Sequence, residues 1–129
     1  METVHNTFCK AERLNKKLII EKLFAGGNAS MSAYPLRALY MPIPKGEVPV
    51  SILISVPKRK LHHATDRNRI KRQIREAYRR SKHTLWNILE SKGQSMAVAF
   101  ICLSDKPCTT SDISKSVRKI LRRIEERTV

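Results

Sequence analysis

Asp66-Arg67-Asn68-Arg69-Ile70-Lys71-Arg72-Gln73-Ile74-Arg75 places five basic side chains in ten positions, yet keeps Ile70 and Ile74 four residues apart. Four residues is one helical turn, so the two isoleucines share a face, and Ala77 and Tyr78 extend that stripe. Asn68, Arg72, Arg75 and Arg79 fall opposite it, with Arg69 and Lys71 on its flanks. The pattern predicts a helix with one face for a core and the rest for a polyanion. Asp66 is the predicted N-cap, its carboxylate also favouring the positive end of the helix dipole.

From Lys58 to Arg80, ten Lys and Arg meet two acids, Asp66 and Glu76, a local balance of +8 within a chain of formal charge +15. A solvated helix face accounts for two or three such cations. Ten in 23 positions repel one another and call for a counter-anion, and phosphate backbone is the leading fit. Arginine engages phosphate oxygens bidentately and lysine adds a mobile point charge. An anionic membrane is the poorer match, because no long apolar span or lipid-anchor motif accompanies the charge.

The chain of 129 residues, 41% hydrophobic, suits one domain with one modest core. Met1 to Lys10 has no signal-like apolar run. Cysteines 9, 102 and 108 form neither a disulfide framework nor a metal knuckle, so a cytoplasmic location is expected. Cys102, within an apolar run, reads as a small buried hydrophobe. His5 and Cys9 are too few for a metal site, and no metal intrinsic to the protein is expected.

The flanking elements follow from periodicity and punctuation. Asn15 is a candidate cap for a short helix carrying Leu18, Ile19, Leu23 and Phe24, closed by Gly26-Gly27. Leu36–Met41 and Val48–Val56 read as strands joined by a Pro/Gly turn, and Ser51–Val56 has the β-branched character of a central strand. Leu85, Trp86, Ile88 and Leu89 continue or resume helix until Gly93. Ser95–Leu103 is a further buried strand. Thr109 and Asp112 form a capping-box pair ahead of a last helix with Ile113, Val117, Ile120, Leu121 and Ile124 on one side. Lys115, Arg118, Lys119, Arg122 and Arg123 cover much of its remaining surface. The fold class is α+β: a small α/β sandwich, a mostly antiparallel sheet packed by helices.

No catalytic constellation emerges. The acids are scattered, no Gly-rich phosphate loop occurs, and no acidic cluster suits Mg²⁺. His62-His63 read as an extension of the basic loop. Phe8, Phe24, Tyr34 and Tyr40 are candidate stacking platforms for unpaired bases, with core packing the alternative for each. Which residues of Leu36–Met41 face which way stays open, since a slip of one residue reverses it.

At these residues the chain resembles the protein subunit of bacterial ribonuclease P. Arg67-Asn68-Arg69-Ile70-Lys71-Arg72 matches the family signature, followed by Arg75-Glu76-Ala77-Tyr78-Arg79. Ile54-Ser55-Val56-Pro57-Lys58-Arg59 resembles its strand end, and Phe8 with Arg13-Leu14 through Phe24 its opening segment. The resemblance spans roughly residues 7–126, a single RNA-binding domain (1–129) with flexible ends expected. It implies a left-handed βαβ crossover around the signature helix. It also implies a protein cofactor of a ribozyme endonuclease, with catalysis and Mg²⁺ on the RNA subunit and no organic cofactor.

The implied partners are ribonuclease P RNA and the single-stranded 5′ leader of precursor tRNA, with no membrane and no obligate protein partner. The implied contacts to the catalytic RNA are Arg67, Asn68, Arg69, Lys71, Arg72, Arg75, Lys58 and Arg59. The leader-cleft candidates are Phe8, Arg13, Phe24, Tyr34, Tyr40 and Ser55. The chain departs from the pattern at Pro57, where serine or alanine is usual, and at Ile20, where a cleft phenylalanine is common. Further departures are Ala38 and Leu39 at often aromatic positions and His62-His63 in an often basic loop. A structural RNA-binding protein of ribosomal or chaperone type is the alternative reading; a DNA-binding module lacks a helix-turn-helix pairing or zipper. Arg67→Ala and Arg69→Ala are both expected to weaken RNA association more than folding.

Overall fold

The computed structural model describes residues 13–14, 17–26 and 29–128. Its elements run α1 (Lys17–Phe24), β1 (Ala29–Ala33), β2 (Leu36–Ile43), β3 (Val50–Ser55), α2 (Ala64–Ser81), α3 (His83–Lys92), β4 (Ser95–Cys102) and α4 (Thr110–Thr128). The sheet order is β1-β2-β4-β3. β1 with β2 and β2 with β4 are antiparallel, while β3 and β4 are parallel neighbours joined through α2 and α3. The mostly antiparallel sheet packed by helices is therefore present, and β3-α2-α3-β4 is its βαβ unit. The Pro/Gly segment after β2 is not a hairpin, because β4 lies between the strands it connects.

Alternation along the strands builds two apolar layers. Leu36, Ala38, Tyr40, Val50, Ile52, Val98 and Phe100 point to the side where α2, α3 and α4 pack. Ile70, Ile74, Ala77 and Tyr78 of α2 and Ile113, Val117, Ile120, Leu121 and Ile124 of α4 are buried there, as their spacing predicts. On the other side Ala97 and Ala99 meet Leu14 and Leu23, ringed by half-buried Ile19, Ile20, Leu39, Met41 and Leu53. One sheet face thus has three helices over it, the other chiefly an eight-residue one.

One expectation about a helix end changes. α2 begins at Ala64 with His63 as its N-cap residue, which makes no side-chain cap bond, so Asp66 sits inside the first turn and not at the cap. There it still complements the dipole. β1, Ala-Ser-Met-Ser-Ala, has no strong strand former and exists because β2 pairs with it along its length. At the other ends the reading holds: Gly26 (φ 96°) and Gly93 (φ 64°) take the left-handed conformation that closes α1 and α3. Asp112 N–H donates to Thr109 Oγ1 at 3.1 Å, the backbone half of the predicted capping box. Asn15 and Gly27 lie outside the described residues.

Candidate nucleic-acid interface

The basic surface starts where β3 ends. The last β3–β4 pair is Ser55 with Ile101, so Pro57 lies beyond the ladder and its missing N–H costs no sheet bond. Its carbonyl accepts from Lys60 N–H (3.1 Å) and Leu61 N–H (3.2 Å), folding 57–61 into a tight turn. Leu61 is buried and anchors that turn in the core, leaving Lys58, Arg59 and Lys60 exposed around it.

Arg67 secures the next step. Its Nη1 donates to the carbonyls of Leu61 and His62, both at 2.8 Å. The first arginine of the signature therefore braces the loop that carries the lysines, a role the linear pattern does not reveal. Asn68, Arg69 and Arg72 are exposed, and Lys71 and Arg75 are half-buried at the flank of the apolar stripe. Neither Arg69, Lys71, Arg72 nor Arg75 has an acidic partner among the described residues.

The C-terminal part of α2 differs. Glu76 accepts from Arg79 Nε and from Arg80 Nε, each at 3.0 Å. The Arg79 hydrogen bond, opposed by partial desolvation and aided by Arg80, holds the Glu76 carboxyl down at about 2. Two of the cations counted in the sequence thus share one carboxylate within the helix, which offsets one of their two charges. Below them, Trp86 Nε1 donates to Tyr78 Oη (2.9 Å), and Tyr78 meets Phe100 edge-on with centroids 6.4 Å apart, fixing the helix against α3 and β4. The signature-following aromatic is a core residue.

The leader-cleft candidates separate. Ser55 lies two residues from Leu53 and so shares the α1-side face, where it stands in one cross-strand row with Ile101 and Arg37. Phe24 is exposed at the end of α1, and Ile20 is half-buried beside it. Leu14 N–H donates to the Ile52 carbonyl at 2.8 Å, which lays Arg13 along the free edge of β3. Tyr40 points the other way: it is buried under α4, its hydroxyl accepting from Arg127 Nη1 (3.1 Å), and offers no stacking face. Tyr34 is exposed, but at the β1–β2 turn against α4, so it does not share the α1-side face. Phe8 lies outside the described residues.

Two cations were not among the site residues read from the sequence, although Lys60 was counted in its basic run. Lys60 belongs to the exposed loop, and exposed Arg37 sits at the end of the α1-side face. The alternation of buried Leu36, Ala38 and Tyr40 was the signal for Arg37. No grouping of three or more His, Cys, Asp or Glu suited to a metal ion occurs among the described residues. No described helix is long and apolar enough to cross a membrane.

A four-stranded sheet with a cation-rich helix crossing between its parallel strands defines a small, strongly basic α/β protein. The comparisons with known proteins carry this further. The family model described as Ribonuclease P matches residues 8–125. The chain is 36% identical over 116 residues to a ribonuclease P protein component of Porphyromonas gingivalis, covering 89% of this chain and 84% of that one. It is 32% identical over 96 residues to one of Chlorobium phaeobacteroides, covering 71% and 65%. Its fold is similar to that of the ribonuclease P protein of Staphylococcus aureus (TM-score 0.66, 23% identity, 89% and 96% covered). The Thermotoga maritima protein is equally similar in fold (TM-score 0.67, 21% identity, 87% and 96% covered). The chain belongs to the ribonuclease P protein component family.

Proposed function

We propose that this chain is the protein cofactor of a ribozyme endonuclease that removes the 5′ leader of precursor tRNA. The observation that carries the reading is the group of Lys58, Arg59, Lys60, Arg69, Lys71, Arg72 and Arg75, braced by Arg67 and without acidic partners among the described residues, in a chain of this family. That group binds the ribonuclease P RNA, and Asn68, exposed on the same helix, donates and accepts within it. The α1-side face receives the single-stranded leader. Phe24 offers a ring for stacking, Ile20 and Leu53 offer apolar contact in place of a second ring, and Arg37 and Ser55 meet the backbone where the face ends.

The described residues do not fit Mg²⁺: they present no carboxylate cluster, so no step is assigned to a metal held by this chain. In the proposal the metal ions and the hydrolytic chemistry belong to the RNA subunit. The protein's share is to neutralise phosphate charge and hold the leader in register.

The test is cleavage of 5′-extended precursor tRNA by a bacterial ribonuclease P RNA at low Mg²⁺, with and without the protein. Correct leader removal that requires both components supports the reading. Folded protein that leaves cleavage by a cognate RNA unchanged, while binding ribosomal RNA, would replace it with a structural RNA-binding role.

A further inference from the structure

The most conspicuous group left over is Tyr34. Its ring is 73% exposed and belongs to neither core cluster. It borders a cleft of about 390 Å³ whose other walls include Pro35, Cys108, Asp112, Lys115 and Lys119. That volume falls within the range of roughly 300–1,000 Å³ typical of small-ligand sites.

The cleft is held open by its own backbone. Ser116 Oγ donates to the Ala33 carbonyl, and Leu103 N–H donates to the Pro35 carbonyl at 2.8 Å. The turn bearing Tyr34 is therefore pinned both to α4 and to the end of β4. On the facing wall, Lys115 and Lys119 stand one turn apart on α4, both exposed and without an ion-pair partner among the described residues. Asp112 adds a single carboxylate acceptor. Gln73 Nε2 donates to the Cys108 carbonyl (3.1 Å) and to Thr110 Oγ1 (3.2 Å), tying this wall to the middle of α2.

An exposed ring, two adjacent ammonium groups and one acceptor match the three parts of a nucleotide: a stacking face, a phosphate and an N–H edge. A free nucleotide fits less well, because the cleft is open and would bury little of it. A nucleotide within a strand gains its affinity from neighbouring contacts as well, and the cations of α2 lie one helix away. We propose that the Tyr34 cleft is a second RNA contact, holding one unpaired nucleotide with its base on the Tyr34 ring and its phosphate on Lys115 and Lys119. This rests on the RNA-binding reading given above, and adds a site on the helix-covered side of the sheet.

The experiment titrates the full-length ¹⁵N-labelled chain at low salt with an oligoadenylate of about eight nucleotides, within the usual span of single-strand sites. Amides of 33, 34, 36 and 112–119 should shift and saturate together. Tyr34→Ala should weaken the affinity read at those amides roughly 5- to 150-fold, the usual worth of one base–aromatic stack, while Tyr34→Phe retains it. Because the ring is exposed, neither variant threatens the fold. Shifts confined to residues 58–80, or an unchanged affinity at 112–119 in Tyr34→Ala, would overturn the second contact and leave the RNA-binding reading standing. Absence of shifts anywhere would overturn both.

Discussion

Of the ten Lys and Arg between Lys58 and Arg80, three are already engaged inside the protein: Arg79 and Arg80 by Glu76, and Arg67 by two carbonyls. The remaining seven face solvent or the flank of α2 without acidic partners. Counterion release makes log K fall with log salt by about 0.7 to 0.9 per phosphate neutralised. Seven contacts give a slope of about −5 to −6, whereas ten would give about −7 to −9. At a slope of −5, raising salt fourfold lowers affinity about 1,000-fold. The informative perturbation is a pair of double variants. Arg72→Ala with Arg75→Ala should flatten the slope by about 1.5, as two lost phosphate contacts require. Arg79→Ala with Arg80→Ala should flatten it by no more than about 0.9, because Glu76 already offsets one of their two charges. Fluorescence anisotropy with labelled ribonuclease P RNA across a KCl series reads both slopes, and the contrast does not depend on what the cations of α4 add. If the 79/80 pair flattened the slope as much as the 72/75 pair, the division of α2 into engaged and phosphate-facing cations would be wrong.

Three further outcomes follow from the same geometry. Ile74→Ala, at a position with no exposed surface, should cost on the order of 2–5 kcal/mol in urea unfolding; a loss below about 1 kcal/mol would mean that the stripe is not the core contact described. Arg67→Ala should cost about 1–3 kcal/mol by releasing the Leu61 and His62 carbonyls, and should speed amide exchange across 58–63. Arg69→Ala should leave both readouts near wild type, so equal effects of the two variants would refute the bracing role. Glu76, held at about 2 when folded and higher when unfolded, contributes stability that is present above its unfolded pKa and lost as pH falls toward 2. Glu76→Gln should therefore flatten the fall of Tm between about pH 4.5 and 2, and an acid limb as steep as wild type would place the charge coupling elsewhere.

The parts of the fold legible in the sequence were those whose burial repeats with a clean period. Ile70, Ile74, Ala77 and Tyr78, the run Met96–Phe100, and Ile113 through Ile124 occupy the core as their spacing requires. β1 was not legible, since Ala29–Ala33 becomes a strand only by pairing with β2. The facing of Leu36–Met41 was open for the opposite reason: both of its faces carry apolar groups, and only the register that sets Tyr40 opposite Val98 assigns them. In the site, the cations themselves were plain, but their partition was not. Whether Arg67 meets phosphate or carbonyl depends on where the 57–61 turn aims the backbone of Leu61 and His62. No pattern in residues 66–75 contains that information. Tyr40, an aromatic of the right type in an alternating strand, turned inward because Arg127 and the α4 core lie on its side.

The split within α2 also gives the surface a direction. Cations suit a helix C-terminus, where the dipole is negative, so unpaired Arg79 and Arg80 would have been well placed for helix stability and would have spread positive potential along its whole length. Glu76 offsets one of their two charges there. At the other end the positive pole of the dipole, the Lys58–Lys60 loop and Arg69 with Arg72 reinforce one another. That end of α2 adjoins the end of β3, and on the opposite side of the same strand end lies the row of Ser55, Ile101 and Arg37. The most cation-rich corner and the polar end of the α1-side face therefore share one rim of the sheet. In the proposed function, a leader leaving the α1-side face crosses that rim as it meets the catalytic RNA. Arg37→Ala, remote in sequence from the signature, should accordingly weaken binding of precursor tRNA to the holoenzyme without weakening protein binding to the ribonuclease P RNA alone. Equal losses in both assays would move Arg37 from the leader path to the RNA-subunit interface.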